Sequence, residues 1–317
     1  MTRPDFSDLP EALPELTFDL QKDLESPVSS GVRAYLDHYL LPVAEDTPGV
    51  QRALGRVSLV GYDILVHYWR PPEPKGTLII VHGYFDHSGL YGQVVRFGLA
   101  HGLTVLAYDQ PGHGLSSGER LAIDDFDRYA DVLAALLRRA EPVLSGPRYT
   151  LGQSMGGAVL LNHLWRYGSE PTGRIALCAP LVLPRAWGLS KWLHTLLRHW
   201  VKRVPRAFSD SSHDPDFNEF LARHDGLQDA YVSVQWVGAM RAWDQRFRGL
   251  RPREDELLVV QGTRDGTVDW RYNLMQIRRK LPNVRVEMIE GARHQLVNES
   301  EPYRARVFAA VERFFFG

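Results

Sequence analysis

Two segments of the chain share the spacing Gly-x-Ser-x-Gly, which can present a serine hydroxyl as a nucleophile. One covers residues 114–118 around Ser116, and the other covers residues 152–156 around Ser154. A nucleophilic serine in this motif stands on a sharp turn that a strand enters and a helix leaves at once. The flanking sequence therefore decides which copy is suited to chemistry.

Only Ser154 has such flanks. Residues 149–151 are typical of a buried strand and lead into the motif, and a helical pattern begins at Met155. Ser116 instead follows a loop rich in glycine and proline, and the next helical pattern begins near residue 124. We therefore predict Ser154 as the nucleophile, the alternative being a small residue at a tight turn. We interpret Ser116 as a residue of a glycine-rich loop.

A serine hydroxyl becomes a good nucleophile when a base removes its proton, and the base needs an acid to orient it. Downstream of Ser154, two strand-like runs end in polar loops where a parallel sheet places its ligands. The loop after residues 284–290 holds His294, the only histidine beyond residue 224. The loop after residues 257–261 holds Asp265 and Asp269. We predict His294 as the base, with a pKa near 6.5, and Asp265 as the acid. Asp269 is the second acid candidate and is favoured as a helix N-cap.

The oxyanion that develops in acyl transfer needs preorganised donors. The backbone N–H of the residue after the nucleophile, Met155, is one candidate. The second should come from the loop after an earlier strand, where residues 77–81 lead into His82 and Gly83 and make the N–H of Tyr84 the natural choice. His82 resembles a candidate base, but we interpret it as a residue that braces this loop through hydrogen bonds.

The elements that must position these residues alternate along the chain. A β-hairpin is predicted over residues 57–69, and buried strands and helical patterns then follow one another. The predicted strands cover 77–81, 103–108, 149–152, 174–179, 257–261 and 284–290, and the predicted helices cover 91–100, 124–140, 155–167, 272–281 and 302–316. This order predicts an α/β fold with a mostly parallel central sheet flanked by helices.

The alternation breaks once, over residues 181–250, where helical and turn patterns occur without a strand signal. We predict a helical cap inserted after the sixth strand. The predicted divisions are an N-terminal extension with a short helix (1–50), the first part of the core (51–180), the cap (181–250) and the second part of the core (251–317). Apolar positions between 189 and 204 predict an amphipathic cap helix with a basic outer face. That helix is expected to pack on the core, with contact between Trp192, Trp200 and a lipid surface as the alternative.

Taken together, the motifs resemble the α/β-hydrolase superfamily, and within it the monoacylglycerol lipase and lysophospholipase branch. The matching segments are residues 82–91, 108–116 and 152–157, together with the loops that carry Asp265 and His294. The chain departs from the branch at two positions, since Asp86 stands where Glu is usual and Tyr84 stands where a smaller residue is usual. The Tyr84 backbone remains available to an oxyanion, and its side chain is expected to narrow the pocket.

The resemblance implies a serine hydrolase of carboxylic esters, with a monoacylglycerol or a lysophospholipid as substrate and the cap forming an acyl pocket. Two other classes stay open. One is different acyl-transfer chemistry on the same fold, as in a peptidase of the proline iminopeptidase type or an acyltransferase. The other is a non-catalytic binding protein, which the presence of all three triad residues disfavours.

Composition narrows the remaining possibilities. The net charge of −1 disfavours nucleic-acid binding through bulk positive potential. The single cysteine, Cys178, excludes intrachain disulfides and cysteine-based zinc clusters. The chain shows no secretory signal pattern and no run of about 18 apolar residues. We therefore expect a soluble, cytoplasmic protein that uses no metal and no organic cofactor.

Overall fold

An eight-stranded sheet forms the centre of the protein in a computed structural model that describes residues 3–25, 29–39, 41, 48–185, 200–206 and 210–317. The strand order is β1-β2-β4-β3-β5-β6-β9-β10, with antiparallel pairing at β1–β2 and β2–β4 and parallel pairing elsewhere. The eight strands are β1 Gln51–Leu59, β2 Tyr62–Arg70, β3 Gly76–Val81, β4 Leu103–Tyr108, β5 Arg148–Gln153, β6 Arg174–Cys178, β9 Leu257–Gly262 and β10 Arg285–Ile289. The predicted mostly parallel sheet is confirmed.

Burial explains why these segments form a parallel sheet. All residues of β3, β4 and β9 are buried, as expected for strands covered on both faces. The edge strand β10 is less buried than these central strands. The predicted hairpin turns at Val60 and Gly61, whose φ angles of 51° and 82° match a two-residue turn of the primed type.

Helices cover both faces of the sheet, which divides the apolar core into two buried clusters. The helices of the described core are α4 Gly92–Ala100, α5 Asp127–Ala140, α6 Met155–Tyr167, α9 Trp270–Lys280 and α10 Glu301–Phe316, and they follow α1 Leu9–Ala12, α2 Leu20–Glu25 and α3 Ser30–His38 in the N-terminal segment. Within the described ranges, no helix combines the length and the hydropathy that crossing a bilayer requires. The five predicted core helices are confirmed to within a few residues at their ends.

The N-terminal segment packs on the same sheet. Tyr35 and Leu36 of α3 are buried in the cluster that contains Leu103 and Val105 of β4. The buried carboxylate of Asp23 accepts hydrogen bonds from the backbone N–H groups of Thr17 (2.9 Å) and Phe18 (2.8 Å). The short helix predicted over residues 31–41 is observed as α3, whereas the sequence patterns missed α1 and α2, which have only four and six residues.

The described part of the segment between β6 and β9 contains two short strands, so the expectation of none was wrong. β7 (Arg203–Pro205) and β8 (Tyr231–Ser233) pair antiparallel, with Val204 opposite Val232. Three residues are too few to show an alternating pattern. The pairing partners lie 28 residues apart in the chain, so no hairpin signal marks them either. The other elements are α7 Pro215–Glu219, a π-helical turn Phe220–His224 and α8 Val234–Gly249.

The amphipathic cap helix predicted over residues 189–204 falls mostly outside the described residues, which exclude 186–199. At its described end the prediction was wrong, since residues 203–205 form β7. Trp200, which precedes this strand, is 88% exposed. In α8, the helically spaced Trp236, Met240 and Trp243 are buried in the cluster that also contains Ile79 of β3 and the apolar residues of α6.

Candidate active site

Ser154 occupies a sharp turn between β5 and α6. Its backbone has φ 53° and ψ −114°, a left-handed conformation that costs energy for a residue with a side chain. Its N–H donates to the carbonyl of Cys178 on β6 at 2.8 Å. Two residues later, a Cβ atom on Gly156 would lie 2.0 Å from the carbonyl oxygen of Val81, so only glycine allows the helix to begin this close to β3.

Ser154, His294 and Asp265 form a continuous hydrogen-bonded chain. The Nε2 atom of His294 lies 2.9 Å from Oγ of Ser154, and its Nδ1 atom lies 2.8 Å from Oδ2 of Asp265. The three side chains come from the loops after β5, β9 and β10, all at the carboxyl edge of the sheet. Each residue is less than 9% exposed. The structure thus brings together the three residues that the sequence predicted as nucleophile, base and acid.

The loop after β9 distinguishes the two aspartates that the sequence left as candidate acids. Oδ1 of Asp265 accepts from the N–H groups of Thr267 (2.8 Å) and Val268 (3.1 Å), which leaves Oδ2 directed at the imidazole. Asp269 instead caps α9, where its Oδ1 accepts from the N–H of Tyr272 at 3.2 Å. Asp269 therefore has the N-cap position that the sequence favoured.

Burial and charge set the protonation of the pair in opposite directions. Burial alone raises the pKa of Asp265, but the imidazole of His294 together with the N–H groups of Thr267 and Val268 outweighs it and holds the pKa of this carboxyl below its usual range. For His294, burial disfavours the imidazolium, while the carboxylates of Asp265 and Asp86 favour it and bring the pKa above 6.5. The sequence predicts a value near 6.5, because only the fold shows how far the charge of Asp265, with a smaller contribution from Asp86, exceeds the effect of burial.

Of the two predicted oxyanion donors, Met155 directly follows the nucleophile in the chain, and Tyr84 directly follows Gly83. The backbone at Gly83 passes beside Ser154, since a Cβ atom on Gly83 would lie 3.3 Å from Cβ of Ser154. The turn is closed by the N–H of Asp86, which donates to the carbonyl of Gly83 at 3.2 Å. In the part of the chain that the structure describes, the N–H groups of Tyr84 and Met155 make no hydrogen bond to another protein group, as a pair of donors awaiting a ligand would.

His82 has the bracing role that the sequence suggested. Its Nε2 atom accepts from the N–H of Gln110 at 2.8 Å, so the neutral ring carries its proton on Nδ1 and donates to the carbonyl of Gly83 at 2.8 Å. Burial lowers the pKa of His82, which keeps the ring neutral. Both nitrogens are occupied, and the side chain is therefore unsuited to act as a base.

Three residues for which the sequence predicted no role in the site stabilise the turn of residues 83–86 (the oxyanion turn), which carries the predicted donor Tyr84. The N–H of Gly83 donates to the hydroxyl of Tyr91 at 3.1 Å, and that hydroxyl donates to Oδ2 of Asp86 at 2.9 Å. The amide of Gln295, directly after the catalytic histidine candidate, donates to Oδ1 of Asp86 at 3.0 Å. Asp86 and Tyr91 lie in the motif 82–91, but only the fold shows that Asp86 bonds both Tyr91 and Gln295.

The side chain of Tyr84 points towards the segment that follows β7. Its ring stacks on Trp236 at a centroid distance of 3.9 Å, and its hydroxyl donates to the carbonyl of Leu121 at 2.8 Å. The narrowing of the pocket that we expected from this residue stays a prediction.

Burial raises the pKa of the Cys178 thiol to about 12, so this cysteine is a packing residue. Within the described ranges, no cluster of His, Cys, Asp or Glu side chains is arranged to hold a metal ion.

Comparison with known proteins identifies the family. The model of a family described as serine aminopeptidase, S33, matches residues 72–301. A monoacylglycerol lipase of Mycolicibacterium smegmatis is 29% identical over 257 residues, covering 76% of this chain and 89% of its own length. A monoglyceride lipase of Rattus norvegicus is 31% identical over 265 residues, covering 77% and 83%.

A solved structure, a soluble variant of the monoglyceride lipase of Saccharomyces cerevisiae in complex with a substrate analogue, shares the fold. Its TM-score is 0.70 at 17% sequence identity, and the alignment covers 82% of this chain and 93% of that one. The chain therefore belongs to the S33 serine aminopeptidase family of α/β-hydrolases, in its monoglyceride lipase branch, and is a carboxylic ester hydrolase.

Proposed function

We propose that the chain hydrolyses a lipid-like ester, a monoacylglycerol or a lysophospholipid, through a covalent acyl-enzyme on Ser154. The observation that carries this proposal is the hydrogen-bonded chain from Ser154 through His294 to Asp265. It gives a serine hydroxyl a base at 2.9 Å and gives that base an orienting carboxylate, which is what acyl transfer by serine requires.

The geometry supports the following sequence of steps. Oγ of Ser154 attacks the acyl carbon as its proton moves to Nε2 of His294, and Asp265 stabilises the imidazolium. The N–H groups of Tyr84 and Met155 hold the oxyanion. When the tetrahedral intermediate collapses, the C–O bond to the alcohol breaks and His294 donates its proton to the leaving oxygen. Water then attacks the acyl-enzyme with His294 as the base, and the acid product and free Ser154 are released.

We assign the role of a cap to residues 181–250, in the division of the chain that the sequence suggested. Its described part contacts two loops of the site. Trp236 stacks on Tyr84 of the oxyanion turn, and the N–H of Gln295, in the loop of His294, donates to the carbonyl of Ser211 at 2.9 Å. A cap in this position would enclose an acyl chain over Ser154. The exposed Trp200 fits the further proposal that the cap touches a lipid surface.

A liposome experiment tests the lipid contact. Binding to anionic vesicles should weaken when salt is raised and when Trp200 is replaced by alanine. Binding that neither change alters would count against it. The proposed location remains the cytoplasm, which cell fractionation with an antibody would test.

The substrate class is tested with a matched series of 1-monoacylglycerols and lysophosphatidylcholines of equal acyl length. We expect hydrolysis of one or both series by the wild type and none by Ser154→Ala. The names of the two lipases support the monoacylglycerols. Failure with every ester in both series would contradict the proposal.

Peptide hydrolysis is the second candidate, and the description of the matching family as serine aminopeptidases is the observation that favours it. Aminoacyl anilides, proline anilide among them, provide the comparison. A kcat/KM for these amides above that for p-nitrophenyl esters of similar size would replace the lipid proposal with a peptidase.

A further inference from the structure

Phe85, the residue after the Tyr84 oxyanion donor, has an unusual backbone conformation. Its φ angle is 71°, in the left-handed region that is strained for a bulky side chain. Such a conformation persists only where the surroundings hold it in place. The contacts of Phe85 therefore bear on where the N–H of its neighbour Tyr84 points.

Two side chains from the cap hold Phe85. The Nε2 atom of Gln228 donates to the backbone carbonyl of Phe85 at 3.1 Å. The guanidinium of Arg206 lies over the Phe85 ring, with 3.7 Å between its central carbon and the ring centroid. Arg206 also donates to Oε1 of Gln228 at 2.6 Å. The backbone and the ring of Phe85 are therefore contacted by two side chains that are bonded to each other.

The pair is anchored to a buried carboxylate. Gln228 donates to Oδ2 of Asp225 at 3.1 Å. Asp225 is fully buried and accepts from the hydroxyl of Tyr39 at 2.7 Å, at the end of α3. His87 follows Phe85 by two residues in the chain, and its Nε2 atom lies 3.2 Å from Oδ1 of the same carboxylate. The N-terminal segment, the cap and the oxyanion turn thus meet at Asp225, which fixes the position of Gln228.

Tyr91 and Asp86 of the core hold the turn at Gly83. At Phe85, the turn is held by the two cap residues. We infer that Gln228 and Arg206 are positioning residues: they hold Phe85 in its left-handed conformation and so direct the N–H of Tyr84 at the oxyanion. This inference rests on the proposed function of Ser154. It couples the seating of the cap to the assembly of the oxyanion site, so that an enzyme with a displaced cap would bind ester but turn it over slowly.

The test compares Gln228→Ala with Gln235→Ala, which removes the same side chain from an exposed position of the same cap. Each variant is assayed with p-nitrophenyl butyrate and with a trifluoromethyl ketone of the same acyl length, which forms a tetrahedral adduct that uses the oxyanion donors. Loss of one such donor costs about 10²–10³ in kcat. For a donor that is displaced, we expect kcat to fall about 10- to 100-fold in Gln228→Ala, with KM within about two-fold of the wild type.

The inhibition constant of the ketone should rise by the same factor as kcat falls, and Gln235→Ala should change neither. A fall in kcat without weaker ketone binding would overturn the inference, because the oxyanion site would then be intact. Unchanged kcat in Gln228→Ala would also overturn it. If the wild type itself neither hydrolyses the ester nor reacts with a fluorophosphonate, the proposed function fails, which is a different result.

A double-mutant cycle separates positioning from general stabilisation. Glycine adopts the left-handed conformation without strain, so Phe85→Gly removes the strain that the cap must hold. In the Phe85→Gly background, Gln228→Ala should lower kcat by less than about three-fold. An equal effect in both backgrounds would contradict the inference. Arg206→Lys keeps the charge but not the planar stacking, and it provides the same kcat-against-ketone comparison if Gln228→Ala does not fold.

Discussion

The two Gly-x-Ser-x-Gly segments are alike in sequence and differ in everything that surrounds the serine. Oγ of Ser154 lies 2.9 Å from the imidazole of His294, which a carboxylate orients. Oγ of Ser116 donates to the carbonyl of Asp109 at 2.6 Å and accepts from the N–H of Leu65 at 2.9 Å. One hydroxyl therefore faces a base, whereas the other fastens a loop to β2.

Each serine also has a histidine in its region, and the two rings are in opposite electrostatic surroundings. His294 pairs with Asp265 and has a raised pKa. His113, three residues before Ser116, donates from Nδ1 to the carbonyl of Pro111 at 2.9 Å, and burial lowers its pKa well below the usual range. A motif of five residues thus becomes a reactive site only where distant loops supply an oriented base.

Replacement of the two serines by alanine should give the largest contrast. Ser154→Ala should lower kcat/KM for p-nitrophenyl butyrate by at least about 10⁴-fold, because it removes the nucleophile. Ser116→Ala should stay within about three-fold of the wild type, since its hydroxyl serves only local hydrogen bonds. Similar losses in both variants would show that the distinction between the two motifs is wrong.

The two aspartates after β9 should differ in the same way. Asp265→Asn keeps the shape of the side chain but removes the charge that stabilises the imidazolium, so we expect kcat to fall about 10³- to 10⁴-fold. Asp269→Asn, a change at the N-cap of α9, should leave kcat nearly unchanged because asparagine caps helices as well as aspartate does. Steady-state kinetics on both variants checks this, and a larger loss for Asp269→Asn would exchange their roles.

The pH dependence should report the raised pKa of His294. Attack requires the neutral imidazole, so kcat/KM should fall as pH is lowered through a midpoint above 6.5. In Asp265→Asn, whose residual activity is measurable at high enzyme concentration, the midpoint should move down because the main charge that raises it is gone. A midpoint that does not move would contradict the role of Asp265.

The same pair makes a sign-specific contribution to stability. Because the pKa of His294 is raised on folding, its contribution is fully present below pH 6.5 and is lost as pH rises through the folded value. The lowered pKa of Asp265 acts in the opposite sense, and its contribution is lost as pH falls below the usual aspartate range. Because burial opposes the charged form of both groups, each contribution to stability requires that the other member of the pair is present.

The smallest expected effect reverses the order of the two serines. Ser116→Ala leaves the N–H of Leu65 without its acceptor, which should lower the free energy of unfolding by about 1–3 kcal/mol. Ser154→Ala should change it by less than about 1 kcal/mol, because among the described residues its hydroxyl bonds to His294 alone, and that imidazole keeps its bond to Asp265. Urea unfolding of both variants measures this, and equal midpoints would mean that the Ser116 hydrogen bonds contribute little.

The extent of sequence-based prediction follows the range of the interactions involved. The strands, the core helices and the chain order of Ser154, Asp265 and His294 follow from periodicity and from the rule that loops at the carboxyl edge meet. The same reasoning favoured Asp265 as the acid and Asp269, four residues later, as a helix N-cap. These features are local, or they follow from a single topological rule.

Contacts between distant segments that no topological rule brings together could not be predicted. The amide of Gln295 reaches Asp86 across 209 residues, and His87 meets Asp225 across 138 residues. Neither contact leaves a local pattern, since each requires the fold before the partners are neighbours. The raised pKa of His294 was missed because its direction depends on the balance between burial and the charges of Asp265 and Asp86, which requires the folded positions of all three residues.

The most direct test of the account is to label the wild type with a fluorophosphonate probe and to locate the modified residue by peptide mass spectrometry. Ser154 is predicted to carry the label, and Ser154→Ala is predicted to remain unlabelled while Ser116→Ala is labelled like the wild type. A label on Ser116 or on any other residue, or no label at all, would contradict the assignment of Ser154 as the nucleophile.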